Sequence, residues 1–139
     1  MLKGFASDLT DLPKTDGLTD KDRLISWASQ TFNFLFENQA IAGISILNDM
    51  QNYSADTNSV YTQKGFAFAL KGNKSGETKK LLVFILVSAM QAAFLAKNDA
   101  KEIIGYDLYS KPERDRFILN TVTMLLKGTD SKENAADEK

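Results

Sequence analysis

Residues 79–99 read KKLLVFILVSAMQAAFLAKND, with no charged side chain between Lys80 and Lys97. The fold turns on how the first half of that stretch is used. LLVFILV (81–87) is β-branched and aromatic, which suits a strand, whereas SAMQAAFLA (88–96) is rich in helix formers and small residues. As one helix over about 77–98, the stretch forms the centre of an all-α domain. As a strand, LLVFILV pairs with GFAFALK (65–71) across the GNKSGE turn, because Phe66, Phe68 and Leu70 alternate with period two. Val60, Gln63, Ala67 and Leu70 also fit a helical spacing, and Ala67 and Ala69 favour it. The expected fold class is therefore all-α, a compact bundle of four to five helices around a hydrophobic central helix. An α+β fold with a hairpin near 65–87 is the alternative. A membrane span is not expected: the sixteen uncharged residues 81–96 make about 24 Å of helix, short of a bilayer core of roughly 30 Å. Ser88 and Gln91 also stand near their middle.

Upstream, Thr19 followed by Asp20 and Asp22 reads as a capped helix start with acids in the first turn. Leu24, Ala28 and Phe32 then repeat every four residues and define a buried stripe, widened by Trp27 and Phe34. Three phenylalanines within five residues (Phe32, Phe34, Phe36) point to core packing on two sides rather than to an aromatic ligand box. A second amphipathic helix is expected over about 40–53, carried by Ile41, Ile44, Ile46, Leu47 and Met50, with Gly43 as a point of close helix contact. SADTNS (54–59) breaks it. Downstream, Ile103, Ile104 and Tyr106 form a short apolar patch in the connector, interrupted by Gly105. Ser110 and Glu113 then have capping-box spacing, with Pro112 in the first turn. This last helix should bury Phe117, Ile118, Val122 and Leu125 and end at Gly128. The expected organisation is an N-terminal arm (1–18), a single helical domain (19–128) and a disordered polar tail (129–139).

Composition narrows the chemistry. The 139 residues contain no cysteine and no histidine. Thiolate and imidazole metal ligands, cysteine nucleophiles and histidine-based triads are thereby absent. Carboxylates and lysines could still serve an enzyme, but no pair of acids stands in an apolar setting, and Glu37, after the phenylalanine cluster, is the least poor candidate. Asp20/Asp22 and Asp49/Asp56 lack calcium-loop spacing. GNKSGETKK (72–80) looks like a phosphate loop, but its glycines, Gly72 and Gly76, are only four apart rather than five, with Glu77 where the lysine belongs. No catalytic residue, cofactor or metal is expected.

The formal charge is −1, divided as −3 over residues 1–70, +3 over 71–116 and −1 over 117–139. Two basic groups carry the positive middle: Lys71, Lys74, Lys79 and Lys80, and then Lys111, Arg114 and Arg116. They are the candidate interaction residues. In the second group Glu113 and Asp115 alternate with the cations, the pattern of an exposed, salt-bridged face. With no secretory or lipidation signal, a cytoplasmic location is expected. The expected function is non-enzymatic: a small helical protein of phage, regulatory or adaptor type that binds another protein and self-associates as a homo-oligomer. The alternatives are a nucleic-acid-associated protein using the basic groups at 71–80 and 111–116, and a carboxylate- or lysine-based enzyme.

Overall fold

The structure, a computed structural model, describes residues 18–72 and 74–137, with side chains as far as Thr129. Six helices and no strand occur among the described residues: α1 (Asp20–Glu37), α2 (Gln39–Gln51), α3 (Asn58–Ala67), α4 (Gly76–Leu95), α5 (Ala100–Ile104) and α6 (Lys111–Asp137). The fold is all-α. The arm expected over 1–18 lies, but for Leu18, outside the described residues.

The hairpin alternative is overturned, and the burial pattern gives the reason. Ser75 caps α4, its Oγ accepting from the Thr78 N–H at 3.1 Å, so the helix is set before LLVFILV begins. Leu82, Val83, Leu86, Val87, Met90 and Phe94 are buried while Leu81, Phe84 and Ile85 face outward. That is a helical period, not the alternation of a strand. GFAFALK is divided between the end of α3 and a tight turn, in which the Ala69 N–H donates to the Phe66 carbonyl at 2.9 Å.

The core is an aromatic ladder between α1, α4 and α6. Phe36 meets Phe32 (5.2 Å) and Phe94 (5.2 Å) edge-on, Phe32 meets Phe117 at 5.4 Å, and Tyr106 closes onto Phe117 at 5.6 Å. Edge-to-face pairs of this kind contribute beyond their buried area. The stripe Leu24–Ala28–Phe32 is fully buried as expected. α6 runs antiparallel to α1, placing Arg114 beside Asn33 and Phe117 beside Phe32.

Four local expectations are corrected. The inward face of α2 is Ala42, Ser45, Ile46 and Asp49, while Ile41, Ile44, Leu47 and Met50 point to solvent. A Cβ at Gly43 would meet open space, so Gly43 makes no close helix contact. The last helix does not end at Gly128 but passes through it to Asp137. At the start of α6 the Glu113 carboxylate reaches past Ser110 and accepts from the Asp107 N–H at 3.0 Å, while the Ser110 N–H donates to the Asp107 carbonyl at 3.1 Å, so the expected reciprocal pair of Ser110 and Glu113 does not close. Gly105 ends α5 at φ +85°, in the left-handed region where glycine carries no Cβ penalty.

Candidate protein-binding surface

α4 has two faces of the same apolar chemistry and opposite surroundings. One is the core. The other is solvent: Leu81 is 57% exposed, Phe84 46%, Ile85 41% and Leu95 38%, with Ala92 exposed and Ser88 and Ala89 half-buried between them. Beside this face, α3 and α4 enclose a groove with Val60, Ala67, Phe68, Val83 and Phe84 along it and Lys64, Glu77 and Lys80 on its rim. Phe68 projects from the turn after α3 with 73% of its surface exposed, although its neighbours Ala69 and Leu70 are buried. The Tyr53 ring stands 6.5 Å from Phe84 at the edge of this surface, and its hydroxyl accepts from Gln63 Nε2 at 2.7 Å.

A clasp at the start of α1 holds the turn that follows Phe68. The Asp20 carboxylate accepts from the Lys71 N–H at 3.1 Å and the Gly72 N–H at 2.9 Å, and pairs with Arg23. Arg23, itself buried, also donates to the carbonyls of Ala69, at 3.0 Å, and of Leu18. A Cβ at Gly72 would lie 2.9 Å from Asp20 Oδ2, so a larger residue here would have to shift that carboxylate. Partial burial pushes the Asp20 carboxyl up, but the two backbone N–H groups and Arg23 outweigh it and hold the group below its ordinary value.

The sequence-derived basic residues do not form one site. Lys71, Lys79 and Lys80 stand around the α3–α4 connection with Lys74, and among them Lys80 lines the groove. Lys111, Arg114 and Arg116 lie at the other end of α1, beside Asn33. Asp20 and Asn33 are thirteen positions apart on α1, about 20 Å along the axis. The second group is largely occupied within the fold. Lys111 pairs with Asp115 at 2.7 Å, and Arg116 stacks over Tyr106 at 5.1 Å and reaches Glu113 at 4.0 Å. Arg114 is buried rather than exposed. It donates to Asn33 Oδ1 at 2.8 Å and to the Leu108 carbonyl at 2.9 Å, and its guanidinium lies 4.7 Å from the Phe36 ring centre. It locks α6 to α1 and is withdrawn from the candidate interaction residues. The Asp115 carboxyl, pushed up by partial burial, is held below its ordinary value by hydrogen bonds from Lys111 and Asn33 and by the charges of Lys111 and Arg114.

Inside the bundle is a polar cluster that sequence reasoning missed. Asp49 Oδ2 accepts from the Ser59 N–H at 2.8 Å and from Ser59 Oγ, which in turn accepts from Gln91 Nε2. Asn58 Nδ2 donates to Ser45 Oγ at 3.3 Å. Thr57 takes the Val60 N–H at the same helix start, so Asp49 supplies from α2 the second cap of α3. The adjoining cavity has a volume of about 30 Å³, room for a single water. Asp49 therefore works as a structural acceptor. The signal available in the sequence was the Ser45–Asp49 pair, four apart and so on one face of the helix, with Ala42 and Ile46 beside it. Glu37, the acid singled out by position, is exposed. No cluster of three acidic, histidine or cysteine side chains with metal-site geometry occurs among the described residues.

By length and composition α4 is also apolar enough to cross a membrane, and 44% of that window is buried inside the fold. Comparison of the chain with protein-family models, with curated proteins and with solved structures finds no match.

Proposed function

We propose that this protein is a non-enzymatic binding module that docks a helical segment of another protein on the uncharged surface formed by α4 and the α3–α4 groove. The observation that carries this reading is the outward face of α4, where Leu81, Phe84, Ile85, Ala92 and Leu95 meet solvent without a charged residue among them. Contiguous apolar surface of this kind is costly to leave in water and marks interaction sites in soluble domains. The groove supplies the polarity of the partner: two cations, Lys64 and Lys80, against one acid, Glu77, on its rim favour an amphipathic segment with acidic flanks. A nucleic-acid reading draws less support, because phosphate binding relies on massed cations and the two basic groups lie at opposite ends of α1, one of them largely paired internally.

The test is affinity capture from the native host with the wild-type chain and with F68D, which replaces an already mostly exposed ring by a carboxylate. Wild type should retain a protein partner, and F68D should lose it while its circular dichroism and thermal midpoint stay unchanged. Equal recovery by both chains, or recovery of nucleic acid instead of protein, removes this reading.

A further inference from the structure

The seventeen residues before Leu18 carry a pattern of their own. Leu2, Phe5, Leu9 and Leu12 are spaced by three, four and three, which is one face of a helix, and Asp8 and Asp11 fall along one flank of that face. Pro13 and Gly17 break the helical pattern before α1 begins. The segment is amphipathic, with acids beside its apolar face. That is the chemistry the α3–α4 groove selects, with Phe68, Leu81 and Phe84 along it and Lys64 and Lys80 against Glu77 on its rim.

The fold also delivers the segment to the groove. Arg23 donates to the carbonyls of Leu18 and Ala69 alike, so the chain enters α1 beside the turn that carries Phe68. Asp20 holds the Lys71 and Gly72 N–H groups of the same turn. The groove starts there, at Phe68 and Gly76, and runs between α3 and α4 to Val60 and Phe84. The two helices are antiparallel, with Ser59 at the start of α3 bonded to Gln91 far along α4. From Gly76 to Phe84 the groove follows about 12 Å of α4, and a helix over residues 2–12 is about 15 Å long. Residues 13–17 span up to about 17 Å, enough to turn the segment back from Leu18 over Phe68. A partner in solution has no such attachment. So short a connection gives an effective concentration of order 1 mM. At that value a contact with an intrinsic dissociation constant of about 0.1 mM leaves about one groove in eleven open, and it weakens a competitor about tenfold.

We propose that residues 2–12 dock as a helix in the α3–α4 groove of their own chain, apolar face inward, and that a partner must displace them. The proposal rests on the binding reading above for the groove's preference and adds the chain's own N-terminal segment as the occupant that controls access to it.

The chain has no cysteine, so a nitroxide can be carried on a single introduced thiol. On full-length S7C, opposite the apolar face of the segment, the label should broaden the amide resonances of residues 60–68 and 76–84 at every dilution and leave those of 100–116 sharp. L9D in the same chain should abolish that broadening without loss of helicity, and should let the partner captured by wild type bind about tenfold more tightly. Broadening spread evenly over the domain, or unchanged by L9D, overturns the docking. Broadening that fades on dilution comes from a second copy and overturns docking within one chain. A partner affinity unchanged by L9D overturns the control of access. Localised broadening in a chain that captures no partner, even as L9D, keeps the docking and removes the binding reading; an F68D-sensitive partner without localised broadening does the reverse.

Discussion

Replacing Asp49 by alanine tests whether the polar cluster or the apolar count decides how α2 is turned. Wild-type Asp49 is buried and accepts two hydrogen bonds from Ser59, one of them from a backbone N–H in the first turn of α3. A hydrogen bond to a charged group contributes about 1.5–3 kcal/mol, and leaving a buried donor unpaired costs about 1–3 kcal/mol. Against this, removing a carboxylate relieves its own desolvation. The net loss expected is about 2–3 kcal/mol, a large share of the stability of about 5–15 kcal/mol typical of a domain. In urea this moves the midpoint by about 1–2 M at an m-value of about 1.5 kcal/mol/M. D49N keeps one acceptor oxygen and should recover about half of the loss, whereas D56A, at an exposed position in the neighbouring loop, should stay within about 0.5 kcal/mol. A D49A chain within about 0.5 kcal/mol of wild type would refute the argument, because Ser59 would then have found an equal partner elsewhere and α2 would be held by packing alone.

Four further outcomes follow from the same geometry. Leu86 is completely buried on the inner face of α4, so L86A should lose about 3 kcal/mol by denaturant titration. I44A, on the outward face of α2, should change stability by less than about 0.5 kcal/mol. R114A removes a buried cation that bridges Asn33 and Leu108 and should cost about 3 kcal/mol, against less than about 0.5 kcal/mol for the exposed R116A; equal thermal shifts for the two would contradict the division made between them. The Asp20 and Asp115 carboxyls lie below their ordinary value in the folded chain, so folding favours their ionised forms. Their contribution is complete above the unfolded value and is lost as pH falls through the folded one. Thermal midpoints should therefore drop on acidification below about pH 4, and D20N should flatten that drop; an unchanged profile in D20N would remove the clasp as its source.

Much of the helical framework was legible in the sequence. The i, i+4 stripe of α1 and the Thr19 start are local: the side chains that cap or share a face are within four residues of one another. The α3–α4 choice was harder because Phe66, Phe68 and Leu70 satisfy two periods at once. Short apolar runs carry no information about which period their neighbours will accept. The candidate surface was only half legible. Its lack of charge was plain, but whether that stretch would be buried all round or on one face depends on how many helices pack against it.

The sequence by itself determined where α1 and α6 start and which chemistries are missing, because capping, periodicity and composition act over one or two turns of chain. Only the tertiary structure decided which faces are inside. It turned Ser45 and Asp49 inward on α2 and Ile41 and Ile44 outward, because the start of α3 needed acceptors that only α2 could bring. It buried Arg114 although its neighbours alternate in charge, because Asn33 and the Leu108 carbonyl converge on that point from α1 and the connector. And it left one side of α4 in solvent, because α1, α3 and α6 cover the opposite side.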